Sequence, residues 1–236
     1  MNQHSYSRAT DLYDYAEVDR TLMRKYMNTK KPIWFTETGF VDVGGPWGGT
    51  ADEYCDYLLQ SFAWARLAGV ERVFHFQLDN SNGHGLYKGM LGEPKPALTA
   101  YRDILTKELS DVELVEQLHG NRGTGFLEGC SPYHPRPATG YNLFEFKKTR
   151  GPGRVLICFS DSSAAVDISV PAKAPSAVLV DRHNNRTRVF AKGGCYALHL
   201  PGATNEAGWP TVNDPQAKAM GKPEHLVGGA TYLVIE

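Results

Sequence analysis

Lys31-Pro32-Ile33-Trp34-Phe35-Thr36-Glu37-Thr38-Gly39 decides how the chain is read. Ile33 to Thr36 is a short apolar run of the kind that forms a buried strand, and Pro32 stands at its very start, where a missing N–H is tolerated. A carboxylate, Glu37, ends the run, and Gly39 opens a glycine-rich loop, Gly44-Gly45-Pro46-Trp47-Gly48-Gly49. Thr50-Ala51-Asp52-Glu53 then has the spacing of a capping box. The Thr50 hydroxyl accepts the Glu53 N–H, and the Glu53 carboxylate accepts the Thr50 N–H. The helix it opens carries Tyr54, Tyr57, Leu58, Ser61, Phe62 and Ala65 on one side, and Gly69 ends it.

The same alternation continues on both sides. Upstream, residues 16–27 place Val18, Leu22, Met23 and Tyr26 on one helical face. Downstream, Arg72 to Leu78 reads as a second strand, followed by an Asn- and Gly-rich loop from Asp79 to Gly92. Glu93-Pro94-Lys95-Pro96 leads stiffly into a last helix marked by Leu98, Tyr101 and Leu105. Strands joined through helices at this spacing predict a parallel sheet, so residues 1–110 read as α/β. Residues 111–236 read as all-β. Candidate strands are 141–147, 154–159, 165–170, 177–181, 186–190, 195–200 and 231–235. Turn residues such as Gly151-Pro152-Gly153, Asn184-Asn185 and Gly193-Gly194 separate them, which predicts an antiparallel β-sandwich. The stretch 205–225 reads as a long polar loop.

Composition narrows the function classes. In 236 residues, 25 Lys+Arg balance 26 Asp+Glu, and the balance is even along the chain. No basic field exists to hold a phosphate backbone, so no nucleic-acid partner is expected. No apolar run approaches the ~20 residues of a membrane helix, so no membrane span is expected. Met1-Asn2-Gln3-His4-Ser5-Tyr6 lacks the features of a signal peptide. The four cysteines, 55, 130, 158 and 195, form no CxxC pair and read as buried thiols; a 158–195 disulfide stays open. No nucleotide-binding glycine motif, GxSxG elbow or HExxH occurs. Neither a cofactor nor a metal is expected.

Three clusters could carry chemistry. Glu37 ends a strand at the end of the sheet where active sites of parallel α/β folds lie, although a capping or salt-bridged Glu fits the spacing as well. Gln77, Asp79, Asn80 and Asn82, with His84, end the next strand and could bind a hydroxyl-rich ligand, or form a solvated turn. The third is His4-Ser5-Tyr6. Trp47, in the loop after Glu37, could be a sugar platform or a packed lid anchor.

Trp34-Phe35-Thr36-Glu37-Thr38-Gly39 resembles the W-x-T-E-x-G segment of retaining glycoside hydrolases built on the (β/α)8 barrel. In that superfamily the Glu ends strand seven and is the nucleophile. His4-x-Tyr6 resembles the H-x-Y at the end of strand six, which lines the sugar subsite and bonds the nucleophile. Residues 74–85 resemble strand eight and its loop, with His75, Phe76 and Gln77 where the family often has a Trp. Gly92-Glu93-Pro94-Lys95-Pro96-Ala97-Leu98 through Tyr101 is similar to the family's lead into the last barrel helix. Gly194-Cys195-Tyr196-Ala197-Leu198-His199-Leu200-Pro201-Gly202 resembles a recurrent strand of its small C-terminal sandwich. The resemblance implies a partial (β/α)8 barrel, about strands six to eight, over 1–110, and an accessory sandwich over 111–236. It also implies Glu37 as nucleophile, His4, Tyr6, Trp47, Gln77 and Asp79 as substrate-binding residues, and a carbohydrate substrate. A whole barrel takes roughly 250 residues. The family's acid/base Glu follows an Asn at the end of strand four, and the chain's one Asn-Glu pair, Asn205-Glu206, falls in the late loop. The expectation is a fragment of an O-glycosyl hydrolase without its acid/base residue. The alternatives are an accessory carbohydrate-associated module without chemistry, and a partial α/β domain of another hydrolase with Glu37 as a base.

Overall fold

The computed structural model describes residues 1–6, 8–43, 48–80, 83–90, 92–122, 138–205 and 225–236. The architecture is mixed α/β with several sheets. The first half is built on β1 (Asn2–Tyr6), α1 (Asp11–Leu22), β2 (Trp34–Gly39), α2 (Ala51–Leu67) and β3 (Arg72–His75). β1, β2 and β3 make one parallel sheet in that order, so 31–37 and 72–78 are adjacent and parallel as the spacing predicts. Short strands β4 (Asp79–Asn80) and β5 (Tyr87–Lys88) follow. Next comes α3 (Pro96–Thr99), which widens into a π-helical turn at Ala100–Leu105.

Two local expectations are corrected. The second strand stops at His75, not Leu78, and the chain turns into β4. The face that α1 buries is Leu12, Ala16 and Asp19, continued by Met23, not Val18, Leu22 and Tyr26. The helix starts at Asp11 and changes to π-helical winding at Met23. Val18 and Leu22 lie beside this stripe, half-buried, and beyond the change of winding Tyr26 is 70% exposed. Leu12, Ala16, Met23, Ile33, Phe35, Ala65, Ala68 and Val70 close a core between the parallel sheet and α1 and α2.

The capping box at Thr50 forms as read. Thr50 N–H donates to Glu53 Oε2 at 2.7 Å, and Glu53 N–H to Thr50 Oγ1 at 3.2 Å. α2 ends where Gly69 takes the left-handed conformation (φ +59°).

The second half holds β6 (Val112–His119), β7 (Tyr141–Lys148), β8 (Arg154–Ser160), β9 (Val166–Pro171), β10 (Ser176–Asp181), β11 (Arg186–Phe190), β12 (Cys195–Leu200) and β13 (Tyr232–Ile235). Six of these form one antiparallel sheet, β11-β10-β13-β8-β7-β6, and β9 pairs with β12. The seven expected strands are present. β6 is the one the sequence reading leaves out. It is an edge strand with irregular register, and its Glu113 and Val115 point outward.

The large sheet is buried on both faces. Leu143, Leu156, Cys158 and Val234 pack against Ile168, Val170, Tyr196 and Leu198 of β9 and β12. The alternate residues Phe144, Phe146, Val155, Ile157 and Phe159 join Tyr54, Leu58 and Trp64 of α2 in one cluster. From Val155 to Phe159, β8 is therefore an unbroken apolar run, as a strand covered on both sides must be. Trp64 meets Phe144 edge-on at 5.3 Å, and Phe62 lies 5.8 Å from Phe146. The β half thus shares a core with α2 and does not stand apart. Cys158 and Cys195 are both free thiols, which closes the disulfide option.

A polar stripe on α2 adds a second joint. Glu53, Asp56 and Gln60 share one helix face and are all buried. Thr204 Oγ1 donates to Glu53 Oε1 at 2.7 Å. Asp56 accepts from Thr231 N–H at 2.8 Å and from Arg182 Nη1 at 2.5 Å. Arg182 Nη2 also reaches Asp52 at 2.6 Å. Gln60 accepts from Gly228 N–H and donates to Gly229 O and Thr231 Oγ1.

Candidate active site

Parallel pairing puts the C-terminal ends of β1, β2 and β3 on one side. The register sets His4 opposite Glu37, Ser5 opposite Thr38 and Tyr6 opposite Gly39. The strand pleat sends neighbours to opposite faces. Thr38 is buried, with its hydroxyl bonded to Tyr57 of α2, so Glu37 faces the other way, toward the sheet's open face. Gly39 allows the close approach of the next strand end: a Cβ there would come within 2.5 Å of the Phe76 carbonyl oxygen.

Three expected site residues meet. Tyr6 Oη donates a short hydrogen bond to Glu37 Oε2, and His4 Nδ1 lies 3.4 Å from the same oxygen. Burial, then the bond to Glu37 and its charge, push the Tyr6 phenol well above its ordinary value, so Tyr6 stays a donor. The Glu37 side chain is 36% exposed. Gln77 is partly buried and its carbonyl accepts from Leu86 N–H at 3.2 Å; among the described residues its side chain makes no hydrogen bond to Glu37. Asp79 lies in β4, paired with Tyr87. Trp47 and Asn82 fall outside the described residues.

Beside the carboxylate stands an aromatic wall. Tyr6, Phe76 and His84 pack edge to face, with centroids 5.3–5.9 Å apart. Tyr54 Oη donates to the His84 carbonyl, and His75 Nε2 lies 2.6 Å from the same phenol oxygen. With the Tyr54 proton given to His84, His75 is the donor through Nε2–H. Burial pushes His84 below its ordinary value, and nearby Lys95 lowers it further. The sequence signal for this support is faint. Tyr54 and His75 read as ordinary core positions, and Lys95 as part of a stiff connector.

Burial also pushes His75 down, to about 4 from 6.5. The folded chain holds it neutral while the unfolded chain protonates it. Its contribution is therefore present above 6.5 and lost as pH falls through about 4. A shift of this size corresponds to about 3 kcal/mol. Urea unfolding of wild type and His75→Phe at pH 7 and pH 4 is expected to show wild type losing about 3 kcal/mol more than the variant. Parallel losses in the two proteins would contradict a neutral, buried His75.

Among the described residues no group of three or more His, Cys, Asp or Glu could hold a metal ion, and no helix is long and apolar enough to cross a membrane.

No protein-family profile matches the chain. No curated protein is significantly similar to it in sequence. Solved structures are similar in fold. A family 39 glycoside hydrolase from Bacteroides cellulosilyticus WH2 superposes with a TM-score of 0.56 at 14% identity, over 95% of this chain and 38% of its own. A GH30 endoxylanase from Clostridium papyrosolvens C71 gives 0.56 at 11%, over 99% of this chain and 47% of its own. A glucosidase from Croceicoccus marinus gives 0.55 at 9%, over 99% and 52%. The chain therefore has the fold of a part of these glycoside hydrolases, and spans about two fifths to one half of their length.

Proposed function

We propose that the chain is the C-terminal part of a retaining O-glycosyl hydrolase, with Glu37 as nucleophile. Residues 1–110 supply about strands six to eight of a (β/α)8 barrel, and 111–236 an accessory β-sandwich. The observation that carries this reading is the meeting of His4, Tyr6 and Glu37 at adjacent parallel strand ends. The partial-barrel reading has further support. Among the described residues β1 and β3 each have one neighbour in the parallel sheet, and Phe74 of β3 is 47% exposed. An open parallel sheet is rare, because its edges and faces are normally covered.

In the complete enzyme, Glu37 attacks the anomeric carbon while an acid/base carboxylate protonates the leaving oxygen. Water, deprotonated by that second group, then attacks the glycosyl-enzyme and releases Glu37. Tyr6 holds Oε2 by its hydroxyl, which leaves Oε1 as the attacking atom. The substrate is a carbohydrate; Gln77, Asp79 and Trp47 are proposed to bind its hydroxyls or ring, with no cofactor. The second carboxylate belongs, on this reading, to strand four of the complete barrel.

The test is trapping. The chain joined to its upstream strands is incubated with 2-deoxy-2-fluoro aryl glycosides, digested and weighed. The expected adduct lies on the peptide holding Glu37 and is absent in Glu37→Gln. An adduct on another carboxylate would overturn the assignment, and inverted product from an active enzyme would overturn retention.

A further inference from the structure

Lys95 is buried where a lysine has little reason to be. Its side chain is 7% exposed, and that of its partner Asp42 is 9% exposed. Lysine and aspartate are almost never fully buried unless paired. Even paired, they gain little over apolar residues of similar size, because desolvation offsets their attraction. The placement calls for a role other than bulk stability.

The contacts indicate one. Lys95 Nζ donates to Asp42 Oδ1 at 2.9 Å and to the Gly83 carbonyl at 3.1 Å, and lies 6.0 Å from the Tyr54 ring centroid. Asp42 sits in the segment that follows β2, and Gly83 between β4 and β5. The loops also touch directly: a Cβ on Gly83 would come within 2.8 Å of Val41 Cγ1. One ammonium group therefore reaches both segments that flank the candidate nucleophile. The residue after Gly83 is His84, whose ring meets Tyr6 and Phe76.

We propose that Lys95 is a positioning residue of the candidate site: by bridging Asp42 and the Gly83 carbonyl it clasps the two loops together, sets His84 and Phe76 against Tyr6, and so aims the Tyr6 hydroxyl at Glu37. It touches neither Glu37 nor a substrate in this role. The functional meaning rests on the glycosidase reading above; the clasp itself does not.

The experiment uses the full 236-residue chain and needs no turnover. Amide exchange is followed across the chain, and the Tyr6 ring signal is followed by 13C-tyrosine NMR, assigned with Tyr6→Phe. In Lys95→Met, amides in 40–43 and 83–88 are expected to exchange about 100-fold faster, while those of α2 and β8 keep their rates. The Tyr6 signal is expected to move toward that of a solvated tyrosine. Because Lys95→Met leaves Asp42 buried without its ion-pair partner, Asp42→Asn/Lys95→Met is studied beside it and is expected to fold and show the same loop opening. Lys88→Met, removing an exposed lysine paired with Glu93 at 3.5 Å, is expected to change neither readout. The proposal is overturned if the double variant keeps wild-type loop exchange and Tyr6 signal. It is also overturned if exchange rises evenly through α2 and β8, or if the double variant does not fold, since each outcome makes Lys95 a general support of the fold. If the clasp behaves as stated and the fluoroglycoside adduct never forms, the glycosidase reading fails and the clasp stands.

Discussion

The 236-residue chain alone is expected to hydrolyse nitrophenyl glycosides no faster than its Glu37→Gln variant, whereas the same substitution in the complete barrel is expected to lower kcat/KM by about 10⁴-fold or more. Two arguments lead there. A nucleophile without a general acid must expel an unprotonated leaving group, and general acid catalysis typically supplies about 10²–10⁴-fold. An activated phenol leaving group hides part of that loss, so the second argument matters more. A reacting carboxylate must be held within about 0.5 Å of its working position. Glu37 is braced on one side by β1, through Tyr6 and His4, and from behind by the Thr38–Tyr57 bond. On the other side, among the described residues, Phe74 of the neighbouring strand is 47% exposed. Purified chain and Glu37→Gln, assayed against a panel of nitrophenyl glycosides, decide the matter. Turnover of the chain well above the variant would mean that the site is complete within this chain or a dimer of it.

The second large effect concerns stability. Arg182→Met is expected to destabilise the chain by about 3–5 kcal/mol, because it strips the guanidinium from a carboxylate taken wholly out of water. The Asp56 side chain is 1% exposed. Its burial pushes the carboxyl up to about 6, even with Arg182 and Thr231 working in the opposite direction. At neutral pH the variant would keep one backbone N–H, from Thr231, against that cost. For a domain of this size the loss corresponds to a fall in Tm of about 10 °C. Adding Asp56→Asn should recover most of it, since an amide in that place carries no charge to desolvate. Thermal unfolding of the single and double variants measures both effects. A single variant within about 1 kcal/mol of wild type would show that water reaches Asp56 and that the joint is not dry.

What the sequence disclosed follows from where the physics is local. β2 and α2 announce themselves, because an apolar run and a reciprocal cap are contained within a few residues of each other. β1 does not: Asn2-Gln3-His4-Ser5-Tyr6 has no strand pattern and is extended because β2 pairs with it. The resemblance to an H-x-Y motif implies that Tyr6 bonds Glu37, and the structure places that hydrogen bond across the β1–β2 pairing. β6 was hidden because an edge strand buries little and can carry Glu113 and Glu116 on its way. Lys95, Asp42, Asp56 and Gln60 were illegible for one reason. Charged and amide side chains are read as solvent-facing, and their burial depends on partners between 12 and 171 residues away.

The place of β13 has a consequence for how the chain comes to be folded. β13 lies inside the large sheet, between β10 and β8, and residues just before it exchange hydrogen bonds with Gln60 across 168 to 171 positions. During synthesis, Phe62 and Trp64 of α2 can meet Phe146 and Phe144 once β7 has followed, but Leu233 of the same cluster and the partners of Gln60 arrive only when the rest of the β half has been made. At the usual rate of translation that is about 10–30 s later. Through that interval the sheet is split down its middle, with β8 and β10 both presenting unpaired edges. Without β13 the two parts of the sheet, β11-β10 and β8-β7-β6, have no strand that joins them.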